Sequence, residues 1–314
     1  MIQINRAYRK QGEVIRQNRI CFRDGEEEVC MEYLTFPLLE QTNMVNHLFS
    51  TRTGGVSKGM YESLNLSFDR GDDDGKVLHN YERVAKVLGS DVTHMVASKQ
   101  THTTNIRRVT NEDLGKGVVK PRDYTDIDGL ITDEKGIVLC TFYADCVPLY
   151  FVDTEHAAIG LAHSGWKGTA AKMGDCMVKA MQEQFGSHPE KLLAAIGPSI
   201  CQDCYEVSEE VAEVFRKLEN ESGEILEEIR ESGCYDDGSG KVRKILEPGC
   251  REGKFQLDLW LANLVILRSA GIPLKQIAVT DICTCHNPGY LFSHRASQGK
   301  RGNLGAFLML KIEK

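Results

Sequence analysis

Two hydrophobic periods run along the chain. Between 137 and 143 nearly every position is apolar (Ile137, Val138, Leu139, Cys140, Phe142, Tyr143), as in a strand buried on both faces, and Ala157 to Ala162 repeats the arrangement. Met95 to Ser98, Leu192 to Ile196, Ile277 to Ile282 and Leu304 to Leu310 read as further strands, and Asp128 to Asp133 as a turn leading into another. Helical spacing appears three times. Asn80 to Leu88 places Tyr81, Val84, Ala85 and Leu88 on one face. Gly165-Trp166-Lys167-Gly168-Thr169 opens a helix with Ala170, Met173, Met177, Met181 and Phe185 as its core stripe. Gln256 to Ala270 carries Leu257, Leu261, Leu264 and Leu267 on one side, with Gly271 to stop it. The first forty residues mix charged clusters such as Arg23-Asp24-Gly25-Glu26-Glu27-Glu28 with short apolar pieces, which predicts hairpins. Asp236 to Gly240 reads as a polar turn. The expected organisation is residues 1–44 as N-terminal strands packed on a main domain of residues 45–314.

Composition narrows the class. At 314 residues and 41% hydrophobic, the chain carries enough apolar material for a large core. No apolar run is long enough to span a membrane, and the start lacks the basic stretch and apolar segment of a secretory signal, so the expectation is a cytoplasmic protein without a membrane partner. A formal charge of -7 argues against a nucleic-acid surface, which needs clustered Lys and Arg, and favours a small-molecule substrate. The 11 cysteines are odd in number and scattered, unlike a disulfide framework, and reduced thiols are expected throughout.

Chemistry concentrates at Gln100-Thr101-His102, Ala144-Asp145-Cys146 and Ala162-His163-Ser164-Gly165-Trp166. Two imidazoles and a thiolate make a ligand set for zinc, with a fourth position open for chemistry, and copper is the alternative ion. His102 follows one strand, and Cys146 and His163 are expected to leave adjacent buried strands at one edge. The 17 positions from Cys146 to His163 suit a strand, turn, strand excursion that returns to its starting end, and exceed a zinc-finger knuckle. The helix start near Gly168 offers free N–H groups to an anion. The turn Thr51-Arg52-Thr53-Gly54-Gly55 either presents Arg52 to an anion or is a surface loop with a solvated Arg. Cys201-x-x-Cys204 and Cys283-Thr284-Cys285-His286 read as ordinary buried thiols, with a second, structural zinc site as the other reading.

The segments FSTRTGGVS, SKQTH, DIDGLIT, YADCVPLYF, LAHSGWKGT, AIGPSICQDCYEV and CTCHNPGYLFSHR, in that order, resemble the YfiH or laccase-domain family over roughly residues 45 to 310. Its members are described as purine nucleoside phosphorylases, polyphenol oxidases and peptidoglycan editing factors. The resemblance implies an α/β fold of mixed sheets flanked by helices, related to bacterial toxin deamidases of cysteine-hydrolase type. It puts the metal ligands on His102, Cys146 and His163, and implies phosphorolysis of adenosine, inosine and S-methyl-5'-thioadenosine together with deamination of adenosine. This chain departs from the family at Asp203-Cys204, where paired cysteines are common, and at His294, where a tyrosine is common.

Zinc on these three residues would activate a water able to attack C6 of adenine and expel ammonia. Phosphorolysis needs a site that gathers inorganic phosphate, for which Arg52 and the backbone near Gly168 are candidates. Asp145 and Asp128 are candidates for holding a substrate hydroxyl or a ligand imidazole, with a structural role as the other reading. Two further readings use the same atoms: a metal-free Cys146–His163 amidase editing peptidoglycan precursors, and a copper-dependent polyphenol oxidase. The sequence leaves the oligomeric state open.

Overall fold

The computed structural model describes residues 2–6, 13–235 and 243–312, and the Asp236 to Gly240 turn lies outside them. The strands are β1 (Arg16–Asp24), β2 (Glu27–Thr35), β3 (Val45–Ser50), β4 (Met95–Ala97), β5 (Ile106–Arg108), β6 (Gly129–Thr132), β7 (Val138–Tyr143), β8 (Val147–Asp153), β9 (Ala158–Ser164), β10 (Leu192–Ile196), β11 (Glu206–Ser208), β12 (Leu246–Pro248), β13 (Lys254–Leu257), β14 (Ile277–Val279) and β15 (Leu304–Leu310). The helices are α1 (Pro37–Glu40), α2 (Asp74–Leu88), α3 (Trp166–Ala170), α4 (Met173–Phe185), α5 (Glu209–Glu221), α6 (Gly223–Ser232), α7 (Leu259–Ser269) and α8 (His294–Ser297). The fold is mixed α/β, with helices flanking mixed sheets.

Two six-stranded sheets are stacked, in the orders β1-β2-β3-β15-β7-β4 and β14-β10-β8-β9-β6-β5, and a small sheet β11-β13-β12 stands beside them. The near-continuous apolar runs arise because the central strands of both sheets are covered on both faces. Along β15, Leu304, Ala306, Leu308 and Leu310 enter the core between the sheets, while Phe307 and Met309 face the core under α2. Along β9, Ile159 and Leu161 point between the sheets, and Ala158 and Ala162 face α4 and α7. Gly160 lets α4 approach closely, since a Cβ there would stand 2.7 Å from Met177 Cε.

Several expectations are corrected. The helix expected from Asn80 begins at Asp74, because Asp73 caps it by accepting the N–H of Lys76. The Met-stripe helix is two helices, broken at Lys172, whose φ of 58° is left-handed. Its first piece is tied sideways by Thr169, which shares hydrogen bonds with Ser164 and Asn263. The helix expected from Gln256 starts at Leu259. Gln256 and Leu257 belong to β13, Asp258 caps the helix, and Leu259 through Leu267 are all buried, so it is a core helix rather than a two-faced one. Finally, Cys21 and Cys30 stand opposite each other in the β1–β2 register and form a disulfide, against the expectation of reduced thiols throughout. Among the described residues no helix is long and apolar enough to cross a membrane.

Candidate functional site

His163 lies within β9, paired with Pro148 of β8 in an antiparallel hairpin. Cys146 immediately precedes β8, so the 17-residue excursion is that hairpin and returns the chain to its starting end. Contrary to the expectation that Cys146 and His163 leave adjacent strands, the strand before Cys146, β7, and the strand that carries His163, β9, are not neighbours in one sheet. β7 and β9 belong to different sheets, and the segment Ala144 to Cys146 crosses from one to the other. That crossing requires Asp145 at a φ of 87°, a left-handed conformation rare for a residue other than glycine. Both its carboxylate oxygens are occupied: Thr284 Oγ1 donates to one at 2.6 Å and the N–H of Arg295 to the other at 2.7 Å. Asp145 therefore pins the turn that presents Cys146.

His102 comes from the loop after β4, also with a left-handed φ, of 67°. One buried carboxylate organises this loop. Asp128 accepts the N–H groups of Thr101, His102 and Thr103, each at 3.0 Å, and its Oδ1 lies 2.8 Å from His163 Nδ1. Fixing Nδ1 as the donor leaves His163 Nε2 to face the other two side chains. The imidazoles of His102 and His163 meet edge to face at 4.9 Å between centroids, and Cys146 Sγ is 3.9 Å from His102 Nε2. One ligand atom from each of His102, Cys146 and His163 lies within 4.8 Å of the others. Gly165 leaves room beneath them, for a Cβ there would stand 2.9 Å from the His102 ring and 3.0 Å from Cys146 Sγ.

The electrostatics favour an ionised thiol. Burial pushes Cys146 up, but the charge on His163 and hydrogen bonding to His102 and His163 outweigh it and hold the thiol at about 6. Burial pushes His163 down, but Cys146 and Asp128 raise it to about 9. Burial likewise pushes Asp128 up, and its bonds from His163 and the loop N–H groups hold it at about 2. Two imidazole nitrogens and a thiolate this close fit a divalent metal with His and Cys preferences, since bonds of roughly 2.0–2.3 Å need only slight closure of the three.

The three side chains line a cavity of about 280 Å³. Arg70, Arg122, Arg301 and Lys99 also line it, as does Phe68, whose ring stacks on Tyr81 at 5.6 Å. Arg70 and Arg301 each keep a buried Nε with no hydrogen-bond partner among the described residues, and burial lowers Arg301 to about 10. Arg52 is not in this cavity. Its guanidinium donates to the backbone carbonyls of Glu62 and Pro288 at 2.7 Å, lies over the Phe292 ring, and lines a smaller neighbouring depression. Gly168 is buried in the five-residue α3 and does not line the cavity. The cationic residues were missed because Arg70 and Arg301 sit in loops remote in sequence from the ligands. The Gly-Lys-Arg-Gly run at 299–302 was the one local signal.

Residues 46–311 match the family described as multi-copper polyphenol oxidoreductase laccase. The chain is 36% identical over 267 residues to the purine nucleoside phosphorylase YlmD of Bacillus subtilis, covering 84% of this chain and 87% of that one. It is 30% identical over 250 residues to the adenosine deaminase RL5 of an unknown prokaryotic organism, covering 79% and 87%. The crystal structure of the Bacillus licheniformis hypothetical protein YfiH superposes with a TM-score of 0.77 at 33% identity, covering 89% of this chain and 96% of that one. With its ordered motifs, two stacked sheets and these relatives, the chain belongs to the laccase-domain, or YfiH, family.

Proposed function

We propose that this protein is a zinc-dependent purine nucleoside phosphorylase that acts on adenosine, inosine and S-methyl-5'-thioadenosine and also deaminates adenosine. The observation that carries this reading is the approach of His102, Cys146 and His163 to within 4.8 Å inside a cationic cavity. The names of the relatives support it. When bound, zinc supplies Lewis-acid activation of water and polarisation of a substrate group. The chain supplies the rest. Arg70, Arg122, Arg301 and Lys99 bring positive charge to the cavity wall for inorganic phosphate, and charge-assisted bonds to such an anion are the strong ones. In phosphorolysis a phosphate oxygen bonds to the anomeric carbon as the N9–C1' bond breaks, and the electron pair leaves with the purine. Phe68 forms an apolar wall for a planar base. Asp128 keeps the His163 proton on Nδ1, so that the opposite nitrogen remains a ligand.

The test is incubation of adenosine with the protein, with and without phosphate, followed by separation of adenine, inosine and hypoxanthine. Phosphate-dependent adenine and phosphate-independent inosine are expected. Cys146→Ala should lose the metal of the His102–Cys146–His163 site and both products together, and turnover that survives complete metal removal would sink the zinc reading.

A second reading rests on one observation: Asp128, His163 and Cys146 also form an ordered acid, imidazole and lowered thiol, the arrangement of a cysteine hydrolase. Release of alanine or serine from a muropeptide precursor by metal-free protein would favour that amidase. Copper-dependent phenol oxidation ranks last. The clusters among the described residues are this His-Cys-His group and one of three cysteines and a histidine, whereas a multicopper centre needs more histidines close together.

A further inference from the structure

Cys201, Cys204, Cys283 and His286 come together on the same side of the fold, although Cys204 and Cys283 are 79 positions apart in sequence. One ligand atom from each lies within 4.8 Å of the others. The cause is topological. β10 and β14 are parallel neighbours, so the chain leaves both at the same sheet edge. Ser199 then bridges Cys283, and the N–H of Thr284 donates to Ser199 O at 3.0 Å.

Each segment makes a tight turn with its two potential ligands three positions apart: Cys201 and Cys204 around a 3-10 turn, Cys283 and His286 around the turn in which Asn287 N–H donates to Thr284 O. The N–H of Cys201 points at Cys283 Sγ at 3.3 Å, as a backbone donor does toward a thiolate. Cys201 Sγ is 3.8 Å from His286 Nδ1. Tetrahedral zinc, with Zn–S near 2.3 Å and Zn–N near 2.0–2.1 Å, sets its ligand atoms roughly 3.5–3.8 Å apart. Cys285, which the sequence offers as an equal candidate, is not in this group.

We propose that Cys201, Cys204, Cys283 and His286 form a second metal site, a closed structural zinc centre of three thiolates and one imidazole. Four protein ligands leave no open position, so the centre is a staple rather than a reaction site. It clamps the loop after β10 to the loop after β14. These loops meet at Asp145, which receives Thr284 Oγ1 on its carboxylate and the N–H of Ile200 on its carbonyl at 3.0 Å. The staple thereby holds the turn that presents Cys146. The proposal does not depend on the function assigned to the first site.

The test is elemental analysis of protein purified under reducing, anaerobic conditions, loaded with zinc alone and desalted. About two zinc ions per chain are expected, with about one in His286→Ala, about one in Cys146→Ala and almost none in the double variant. His286 is exposed, so its removal leaves the packing intact. Cobalt loaded into Cys146→Ala, which leaves the second site unaltered, should show the charge-transfer absorption of several thiolates, and His286→Ala should melt several degrees lower. Metal-free Cys146→Ala, zinc unchanged by the loss of His286, iron in place of zinc, or a disulfide among Cys201, Cys204 and Cys283 in the reducing preparation would each overturn the proposal.

Discussion

His163 donates its Nδ1 hydrogen to Asp128 Oδ1 at 2.8 Å, and the same carboxylate receives the N–H groups of the loop that carries His102. A single buried acid thus orients one imidazole and anchors the backbone of the other. The consequences of this arrangement and of the surrounding cavity can be measured.

Asp128→Asn is nearly isosteric but turns an amide NH2 toward N–H donors and removes the charge that fixes the His163 tautomer. Zinc affinity at the first site should fall roughly 10- to 100-fold, and unfolding should be easier by about 1–3 kcal/mol. Competition with a chromophoric chelator reads the first quantity and denaturant titration the second. Unchanged zinc affinity would remove Asp128 from the positioning role.

The same carboxylate sets a pH signature in metal-stripped protein. Its folded value of about 2 lies below the roughly 3.9 of an unfolded aspartate. The stabilisation is therefore complete above pH ~4 and is lost as pH falls through about 2, amounting to about 2 kcal/mol. Comparing wild-type and Asp128→Asn unfolding between these limits isolates this group from the other carboxylates. Curves that stay parallel across the window contradict the assignment.

Gly165 has a φ of -71° and a ψ of 178°, which any residue adopts, so the effect of Gly165→Ala is one of space. The added methyl presses on His102 and Cys146 at 2.9 and 3.0 Å. Overpacking costs about 1–3 kcal/mol, concentrated on the two side chains meant to hold the metal. The expected result is a folded protein with zinc bound at least tenfold more weakly. Full metal retention would show that the cluster has more slack than the structure gives it.

Arg301→Ala removes one of the cationic side chains that line the cavity. Loss of a charge-assisted bond to phosphate should raise the phosphate KM and reduce phosphorolysis roughly tenfold to hundredfold. Deamination of adenosine, which uses no phosphate, should hold steady. Arg52→Ala should leave the phosphate KM in place, because Arg52 does not line the cavity of the His-Cys-His group and its guanidinium is held by two backbone carbonyls and the Phe292 ring. The opposite ranking of the two variants would restore Arg52 as the anion residue.

The features legible in the sequence are those whose cause is local. Leu304 to Leu310 reads as a strand and is one, because a segment covered on both faces writes that fact into every side chain. Cys146 and His163 could be brought together from spacing, because β8 and β9 form a hairpin and a hairpin's register is a short-range property. The motif order also carried the family and its fold class.

Other features depend on distant partners, and tertiary structure alone decided them. Leu257 and Leu259 have the same chemistry, yet one ends a strand and the other starts a helix because Asp258 caps the turn between them. Cys201 meets Cys283 through the pairing of β10 with β14, which sequence spacing does not encode. Arg52 and Arg301 are both arginines in glycine-bearing loops. Both line the smaller depression, but only Arg301 also reaches the cavity of the His-Cys-His group, and that follows from burying apolar faces contributed by segments hundreds of residues apart.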